Sequence, residues 1–242
     1  MIIDTFLFFN EIDLLEIRLN SLAPHVDRFV LVEAPFTHSG KPKSLYFQEN
    51  KDYFKDFNIT HLIMEDGLDD DPYETEKNQR EYLMKGIKDA DPQDIILLSD
   101  VDEIPDLHYY HEGMEGVFRQ KLYYYALNVY TGKSNWHGTI AVKRENVESL
   151  RDLRDRRNRI NVAKKNGGWH FSTLGTPEQI IEKIESFHHQ EFNLPFYKNG
   201  IARNRANLTD PYNRTTKAFT IEMPSGPEWL LKNKERYPKL WR

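Results

Sequence analysis

The sequence has no cysteine among its 242 residues. Disulfide bonds and thiolate metal ligands are therefore excluded, and a bound metal ion would need oxygen or imidazole ligands. Long hydrophobic runs are missing as well, since none approaches the ~18 apolar residues of a membrane-spanning helix, and we expect no membrane span. The apolar N-terminus lacks the basic region and the small-residue cleavage site of a signal peptide, which predicts a cytoplasmic protein.

An excess of positive charge is also absent. The formal net charge is −5 at pH 7, which argues against a nucleic acid as partner. Hydrophobic residues make up 39% of the chain, enough to fill a core. No stretch in the middle of the chain resembles a linker, so we predict a single domain over residues 1–242.

The first 105 residues alternate strand-like and helix-like segments. The predicted strands are residues 2–9, "DRFVLVEA", "ITHLIME" and "DIILLSD". The predicted helices between them are "NEIDLLEIRLNSLAP", residues 49–57 and "DPYETEKNQREYLMKGIKDADP". In the last of these, Asp71 is the expected N-cap and Glu74 stands at the capping-box position. The alternation predicts an α/β fold with a Rossmann-like, mostly parallel sheet and helices on both faces.

Beyond Pro105 the pattern changes. The segments "VFRQKLYYYALNVYTG" and "HGTIAVKR" alternate aromatic and polar residues as antiparallel strands do, and "NGGWHFSTLG" is typical of a short strand. A helix is predicted over "TPEQIIEKIESF", with Thr176 as N-cap and Gln179 completing a capping box. We expect residues 106–190 to form a smaller antiparallel part and residues 191–242 to form a helical C-terminal extension.

The stretch "DIILLSDVDEIP" carries an acidic pair at the end of an apolar run. Asp100 and Asp102 are two residues apart, so a strand would direct both to the same side. Parallel sheets bind ligands outside the carboxyl ends of their strands, and Asn10, Glu33 and Asp66 also stand at predicted strand ends. Two carboxylates so close repel each other unless a cation lies between them. The pair therefore predicts Mg²⁺ or Mn²⁺ bound together with phosphate oxygens, and the alternative is a polar strand end that caps the next helix.

Several other side chains have two interpretations. His170 in "GGWHFS" is either a third metal ligand or a core histidine bonded to backbone. Gln79 and Arg80 belong to the helix before the acidic strand, where most polar side chains are solvated. The segment "LRDLRDRRNRI" has a net charge of +3 from five arginines and two aspartates, and we favour an exposed, salt-bridged helix over a clamp for a diphosphate. Trp136 and Trp169 are either core residues or platforms for the apolar faces of sugars.

Seven segments, in their order and spacing, resemble those of glycosyltransferase family 17. They are "FFNEIDLLEIRLN", "VEAPFTHSGKPKSLYF", "NQRE", "LLSDVDEIP", "YYYALN", "WHGT" and "GGWHFS", and the resemblance covers about residues 3–190. It implies a GT-A-type glycosyltransferase fold and a UDP-sugar donor, with N-acetylglucosamine as the sugar. It also implies Mn²⁺ or Mg²⁺ held through the D-x-D motif, inversion at the anomeric carbon, and a glycan or glycoside as acceptor.

The resemblance further implies roles for individual residues. Residues 1–105 would bind the nucleotide sugar, and residues 106–190 would form the acceptor side. Asp102 would bind the metal ion, Asp100 would face the ion or the donor ribose, and Glu33 and Arg80 would lie near the nucleobase and the diphosphate. The remaining expected residues are Asn10 and Gln79 for the donor, His170 for the metal, and Trp136 and Trp169 for the acceptor.

The acceptor and the general base stay open. Because this sequence lacks the membrane anchor of the vertebrate members, a bacterial or viral glycan, a lipid-linked sugar or a small glycoside is expected as readily as an N-glycan. An inverting transferase needs a general base near the attacking hydroxyl. The carboxylates that follow the acidic motif are the candidates, namely Glu103, Glu145, Glu148 and Asp152.

Two other functions are compatible with the motifs. A phosphohydrolase of the haloacid dehalogenase type also begins from an apolar strand that ends in D-x-D. That class expects Thr or Val where this chain has Ile104, and it sets the motif near the N-terminus. A non-catalytic nucleotide-sugar-binding module would keep the same fold without turnover.

Overall fold

A computed structural model describes residues 1–111 and 113–242 as a mixed α/β fold. Its strands, in chain order, are β1 (Ile2–Leu7), β2 (Arg28–Glu33), β3 (Ile59–Ile63), β4 (Ile95–Asp100), β5 (Glu103–Pro105), β6 (Gly116–Tyr125), β7 (Val129–Tyr130), β8 (Trp136–Lys143), β9 (Val162–Lys164), β10 (Gly168–Leu174) and β11 (Thr220–Ile221). Its helices are α1 (Ile12–Leu22), α2 (Tyr46–Asn50), α3 (Pro72–Tyr82), α4 (Leu150–Asp155), α5 (Pro177–Ser186), α6 (Pro195–Lys198), α7 (Ile201–Ala206) and α8 (Glu228–Lys232).

The strands form one large sheet in the order β11-β7-β6-β8-β4-β1-β2-β3. The four strands β1 to β4 are parallel to one another, as predicted from the strand–helix alternation. Strand β8 is antiparallel to both β4 and β6, while β10 runs parallel to β6 and antiparallel to β5. The sheet is therefore mixed, and the expectation of a mostly parallel sheet holds for its first half.

Helices cover both faces of the parallel strands because successive side chains of a buried strand point to opposite faces. Phe6 and Leu97 belong to the apolar cluster that includes α1, whereas Ile3 and Leu98 belong to the cluster with α4. Full burial of side chains of this size stabilises a fold by about 1.5–3 kcal/mol each. The prediction of helices on both faces is confirmed.

The helix ends follow local rules with two exceptions. Asp71 caps α3 by accepting a bond from the Tyr73 N–H, and Thr176 with Gln179 forms a capping box at α5, as predicted. Glu74 forms no capping box because its carboxylate pairs instead with Lys77 and Arg151. The helix expected over residues 49–57 begins earlier, as α2, and continues as a 3-10 turn over Lys51–Phe54.

The C-terminal extension packs back onto both halves of the sheet. It contains the predicted helices and also β11, which pairs with β7. Tyr237 donates to the buried Glu16 of α1 at 2.7 Å, and the backbone N–H of Arg242 donates to Asn128 at 2.9 Å. In the described part of the chain, no helix combines the length and the apolar character needed to cross a bilayer.

Candidate active site

A cleft of about 570 Å³ opens at the carboxyl ends of β1 and β4. Volumes of ~300–1,000 Å³ are usual for small-molecule sites. Its walls come from α3, α4, α5 and the segment that follows α5, and Tyr212 and Arg214 of the C-terminal extension close one side. Of the predicted site residues, the cleft is lined by Gln79, Arg80, Asp100, Asp102, Trp136 and His170.

A buried arginine fixes the turn that presents the acidic motif. Arg18 of α1 is paired with Asp4 of β1 at 2.6 Å, and both side chains are fully buried. The Arg18 guanidinium also donates to the backbone carbonyls of Asp100 at 3.0 Å and Glu103 at 2.8 Å. Because the planar Arg18 guanidinium bonds both β1 and the turn after β4, the carboxylates of this turn are positioned before any ligand binds.

Asp100 faces the cleft between two arginines. Its Oδ1 accepts from Arg80 at 2.9 Å and its Oδ2 accepts from Arg154 at 2.7 Å. Burial alone would raise the pKa of Asp100, but Arg154 and Arg80 hold that pKa well below its ordinary value. Both carboxylate oxygens thus already bond guanidinium groups, although Asp100 was predicted as a metal ligand.

Glu103 lies behind the wall of the cleft and is fully buried. Arg154 bonds both of its oxygens at 2.8 Å, and the indole N–H of Trp136 donates to Oε1 at 2.7 Å. The backbone N–H of Asp100 donates to Oε2 at 3.1 Å. Burial would raise the pKa of Glu103, but the charge of Arg154 lowers it. Both oxygens of this carboxylate are bonded, and Glu103 is not among the residues that line the cleft.

Asp102 forms a different group with His170 and Lys183. His170 Nε2 lies 3.3 Å from Asp102 Oδ1, and Lys183 Nζ lies 3.2 Å from Oδ2. Burial would raise the pKa of Asp102, but Lys183 and His170 lower it to about 2, so the carboxylate stays ionised. His170 Nδ1 is buried without a hydrogen-bond partner among the described residues, and the His170 ring packs on Trp136 with centroids 4.7 Å apart.

The donor set of Asp102 and His170 fits a divalent cation in part. One carboxylate oxygen and one imidazole nitrogen face each other, and both are ligands that Mn²⁺ accepts. Within residues 1–111 and 113–242, no three His, Asp or Glu side chains are grouped closely enough to hold an ion by themselves. An ion bound here would need further oxygen ligands from a substrate, as Mg²⁺ sites with phosphates usually have.

Arg157 supplies a cation without a carboxylate partner among the described residues. Its guanidinium lies over the Trp136 ring, 5.1 Å from the centroid, and lines the cleft. Burial and the neighbouring Arg154 lower the pKa of Arg157 to about 10. A half-buried cation in this position attracts an anionic ligand.

The cleft is also lined by two neutral histidines. His38 Nε2 is 2.7 Å from the side-chain oxygen of Gln79, and burial lowers the pKa of His38. Burial also lowers the pKa of His188 to about 4, and its ring lies 4.9 Å from that of Tyr73. These groups offer uncharged hydrogen-bonding edges and ring faces rather than charge.

The other predicted site residues lie outside this cleft. Glu33 is buried and accepts from the backbone N–H groups of Phe47 and Gln48 and from His61, so it caps α2. Trp169 lines a separate cavity of about 350 Å³. Asn10 lies in the β1–α1 loop between two residues that line the cleft. Glu145 accepts a hydrogen bond from Gln93, and Glu148 is exposed. Asp152 lies in the first turn of α4.

The favoured interpretation of the arginine-rich segment is wrong for its central residue. Arg154 is 5% exposed and bonds Asp100 and Glu103, because α4 packs Leu150 and Leu153 against the sheet and carries Arg154 inward with them. Arg18 and Lys183 were also missed. Each stands on the apolar stripe of its helix, and this position was the available signal that the charge faces inward and is paired. Arg18 is fully buried, and the Lys183 side chain is 28% exposed in the cleft.

Comparison with known proteins identifies the class. A model of glycosyltransferase family 17 matches residues 1–195, and the chain belongs to this family. The family is one of glycosyltransferases. The family match gives no support to the haloacid dehalogenase alternative.

Two relatives carry the same name, beta-1,4-mannosyl-glycoprotein 4-beta-N-acetylglucosaminyltransferase. The protein of Homo sapiens is 24% identical over 287 residues, covering 94% of this chain and 52% of the human protein. That of Rattus norvegicus is 30% identical over 125 residues, covering 47% of this chain and 22% of the rat protein. The chain thus spans about half the length of the human relative and less of the rat one.

Proposed function

We propose that this protein is a metal-dependent, inverting glycosyltransferase with a GT-A-type fold. It moves a sugar, N-acetylglucosamine, from a UDP-sugar to a hydroxyl of a glycan or glycoside. The observation that carries the proposal is the pairing of Asp102 with His170 in a cleft that also presents Lys183 and Arg157. The names of the human and rat relatives support N-acetylglucosamine as the sugar.

The charges divide the cleft into functional regions. Asp102 and His170 would hold Mn²⁺ or Mg²⁺, which when bound neutralises charge on the leaving diphosphate. Arg157 would bind phosphate oxygens, and so would Lys183, which is held by Asp102 and Glu11 at 3.2 Å each. The neutral groups His38 and Gln79 suit the uncharged nucleoside better than the diphosphate.

The reaction is a direct displacement. The acceptor oxygen forms a bond to the anomeric carbon while the bond from that carbon to the diphosphate oxygen breaks, and UDP leaves with the electron pair. The proton of the acceptor hydroxyl passes to a general base. Glu103 acts in positioning, since Arg154 and Trp136 occupy its oxygens. Asp155 lines the cleft and, among the described residues, has a single ion pair, with Lys77 at 3.6 Å, so it is the base in this proposal.

Calorimetric binding of UDP-N-acetylglucosamine tests the donor site. With Mn²⁺ present we expect binding that EDTA weakens by about tenfold or more, the loss of one charge-assisted contact. Asp102→Asn is expected to bind as wild type does in EDTA. Asp152→Asn removes the same charge outside the cleft and is the matched control. Absence of binding to any UDP-sugar, with or without metal, would overturn the proposal.

Turnover then separates an enzyme from a non-catalytic binding module. Mass spectrometry of UDP and glycoside products is the measurement. Asp155→Asn is expected to lower kcat while the Kd for the donor stays within about twofold of wild type, because the base touches the acceptor and not the diphosphate. Donor binding without any product would favour the binding module.

A further inference from the structure

A second group of cations lies near Trp136. Lys133 Nζ is 5.1 Å from the centroid of the Trp136 ring. Arg214 lines the cleft nearby, and Lys217 approaches Gly132, the neighbour of Lys133. We call Lys133, Arg214 and Lys217 the basic rim. It is formed by the loop between β7 and β8 and by the C-terminal extension.

The basic rim has little compensating charge. Arg214 is held by Asp210 at 2.9 Å and donates to the Tyr124 hydroxyl at 2.9 Å, and its side chain remains 47% exposed. Among residues 1–111 and 113–242, no carboxylate pairs with Lys133. Burial, together with Arg214 and Arg157, lowers the pKa of Lys133. Three cations against one carboxylate form a site that an anion stabilises.

The basic rim borders the proposed donor contacts. The His170 ring, which pairs with Asp102, packs on Trp136. Arg157 lies as close to the Trp136 ring as Lys133 does, and its charge helps to lower the pKa of Lys133, so the rim continues from Arg157.

We propose that the acceptor is an acidic saccharide whose carboxylate or phosphate binds the basic rim, an inference that rests on the proposed function. The Trp136 ring contacts Lys133 and packs on the His170 ring, so it adjoins both this anionic subsite and the Asp102–His170 pair. A sugar seated on this ring would place its acidic group at Lys133 and Arg214 and a hydroxyl near the donor. A neutral saccharide of the same shape leaves the cations without a partner.

Binding of matched sugars to the UDP-loaded protein tests this proposal. Methyl β-D-glucuronide is compared with methyl β-D-glucoside, and mannose 6-phosphate with mannose, so that the two pairs distinguish a carboxylate from a phosphate. We expect at least one acidic member to bind about tenfold more tightly than its neutral counterpart, the effect of one charge-assisted bond. Added NaCl should weaken the acidic sugar and leave the neutral one unchanged.

Lys133→Gln is the principal variant because, within the part of the chain that the structure describes, the Lys133 side chain makes no hydrogen bond. It should remove most of the preference for the acidic sugar and leave the Kd for UDP within about twofold. Lys121→Gln is the matched control, since Lys121 makes a similar contact with Tyr130 outside the cleft. Arg214→Gln should act as Lys133→Gln does.

Three results would overturn the inference. They are equal binding of acidic and neutral sugars, binding of neither, and a Lys133→Gln variant that weakens UDP instead of the sugar. The last would assign the basic rim to the donor phosphates. If UDP itself fails to bind while the acidic sugar is still preferred, the proposed function fails and the anion site stands.

Discussion

Arg154 and Arg157 are three residues apart, and we predict opposite effects when each is replaced by glutamine. Arg154 bonds both oxygens of the fully buried Glu103, and Arg157 has no carboxylate partner in the described part of the chain. Removing one partner of a buried ion pair costs about 3–5 kcal/mol because the other charge stays buried alone. The contact of Arg154 with Asp100 adds little, since that carboxylate is 37% exposed in the cleft.

For a protein of this length, a loss of 3–5 kcal/mol corresponds to a decrease in Tm of about 6–20 °C. Arg157→Gln loses a contact with Trp136 worth about 0.5–1 kcal/mol but also relieves the repulsion from Arg154. Its free energy of unfolding should remain within about 1 kcal/mol of wild type. Its affinity for UDP should nevertheless decrease by roughly tenfold to a hundredfold.

Urea denaturation at pH 7 measures both stabilities, with calorimetry for UDP. Arg154→Gln/Glu103→Gln is the control, because removing both charges should recover part of the lost stability. If Arg154→Gln unfolds within 1 kcal/mol of wild type, or if Arg157→Gln is the less stable of the two, then the division into a structural and a ligand-binding arginine is refuted.

Three further outcomes are expected. Arg18→Met should cost about 3–5 kcal/mol in urea denaturation, and Asp4→Leu in the same chain should restore part of it; an additive loss would contradict the buried pair. Trp136→Phe keeps an aromatic ring but removes the indole N–H that donates to Glu103, so it should lower the free energy of unfolding by about 2 kcal/mol. An unchanged denaturation midpoint would argue against that bond. Burial lowers the pKa of His188 to about 4, so the imidazole binds a proton more readily in the unfolded chain than in the folded one. The free energy of unfolding should therefore fall as the pH decreases from about 6.5 toward 4. In His188→Asn, the dependence of the free energy of unfolding on pH should be weaker between about pH 7 and pH 5.

Local patterns were sufficient to predict the parallel strands, the capping of α3 and α5 and the position of the acidic motif. They depend on residues close in sequence. The residues that pair with that motif were harder to predict, because they come from helices that are distant from it in the sequence. Arg18 and Lys183 stand among apolar residues on α1 and α5, where the usual rule that charges face solvent fails. Only the packing of those helices determines which carboxylate each one meets.

Glu33 illustrates the opposite error. A polar residue at a strand end is a reasonable candidate for ligand binding. In this chain the following segment folds back so that two backbone N–H groups of α2 and His61 use its carboxylate. The contribution of Tyr212 and Arg214 to the cleft could not be predicted either, because no sequence pattern indicates where a C-terminal segment returns.

The C-terminal extension is anchored in the core at its far end and forms a loop in its middle. Leu230 and Tyr237 belong to the main apolar core with α1, so a chain cut at residue 195 would lose part of that core. Tyr212 and Arg214, by contrast, line the cleft from a loop. Surface loops held by a rigid scaffold are where proteins diversify most easily. A few substitutions in this loop can therefore change which molecule binds at this side of the cleft without altering the residues around Asp102.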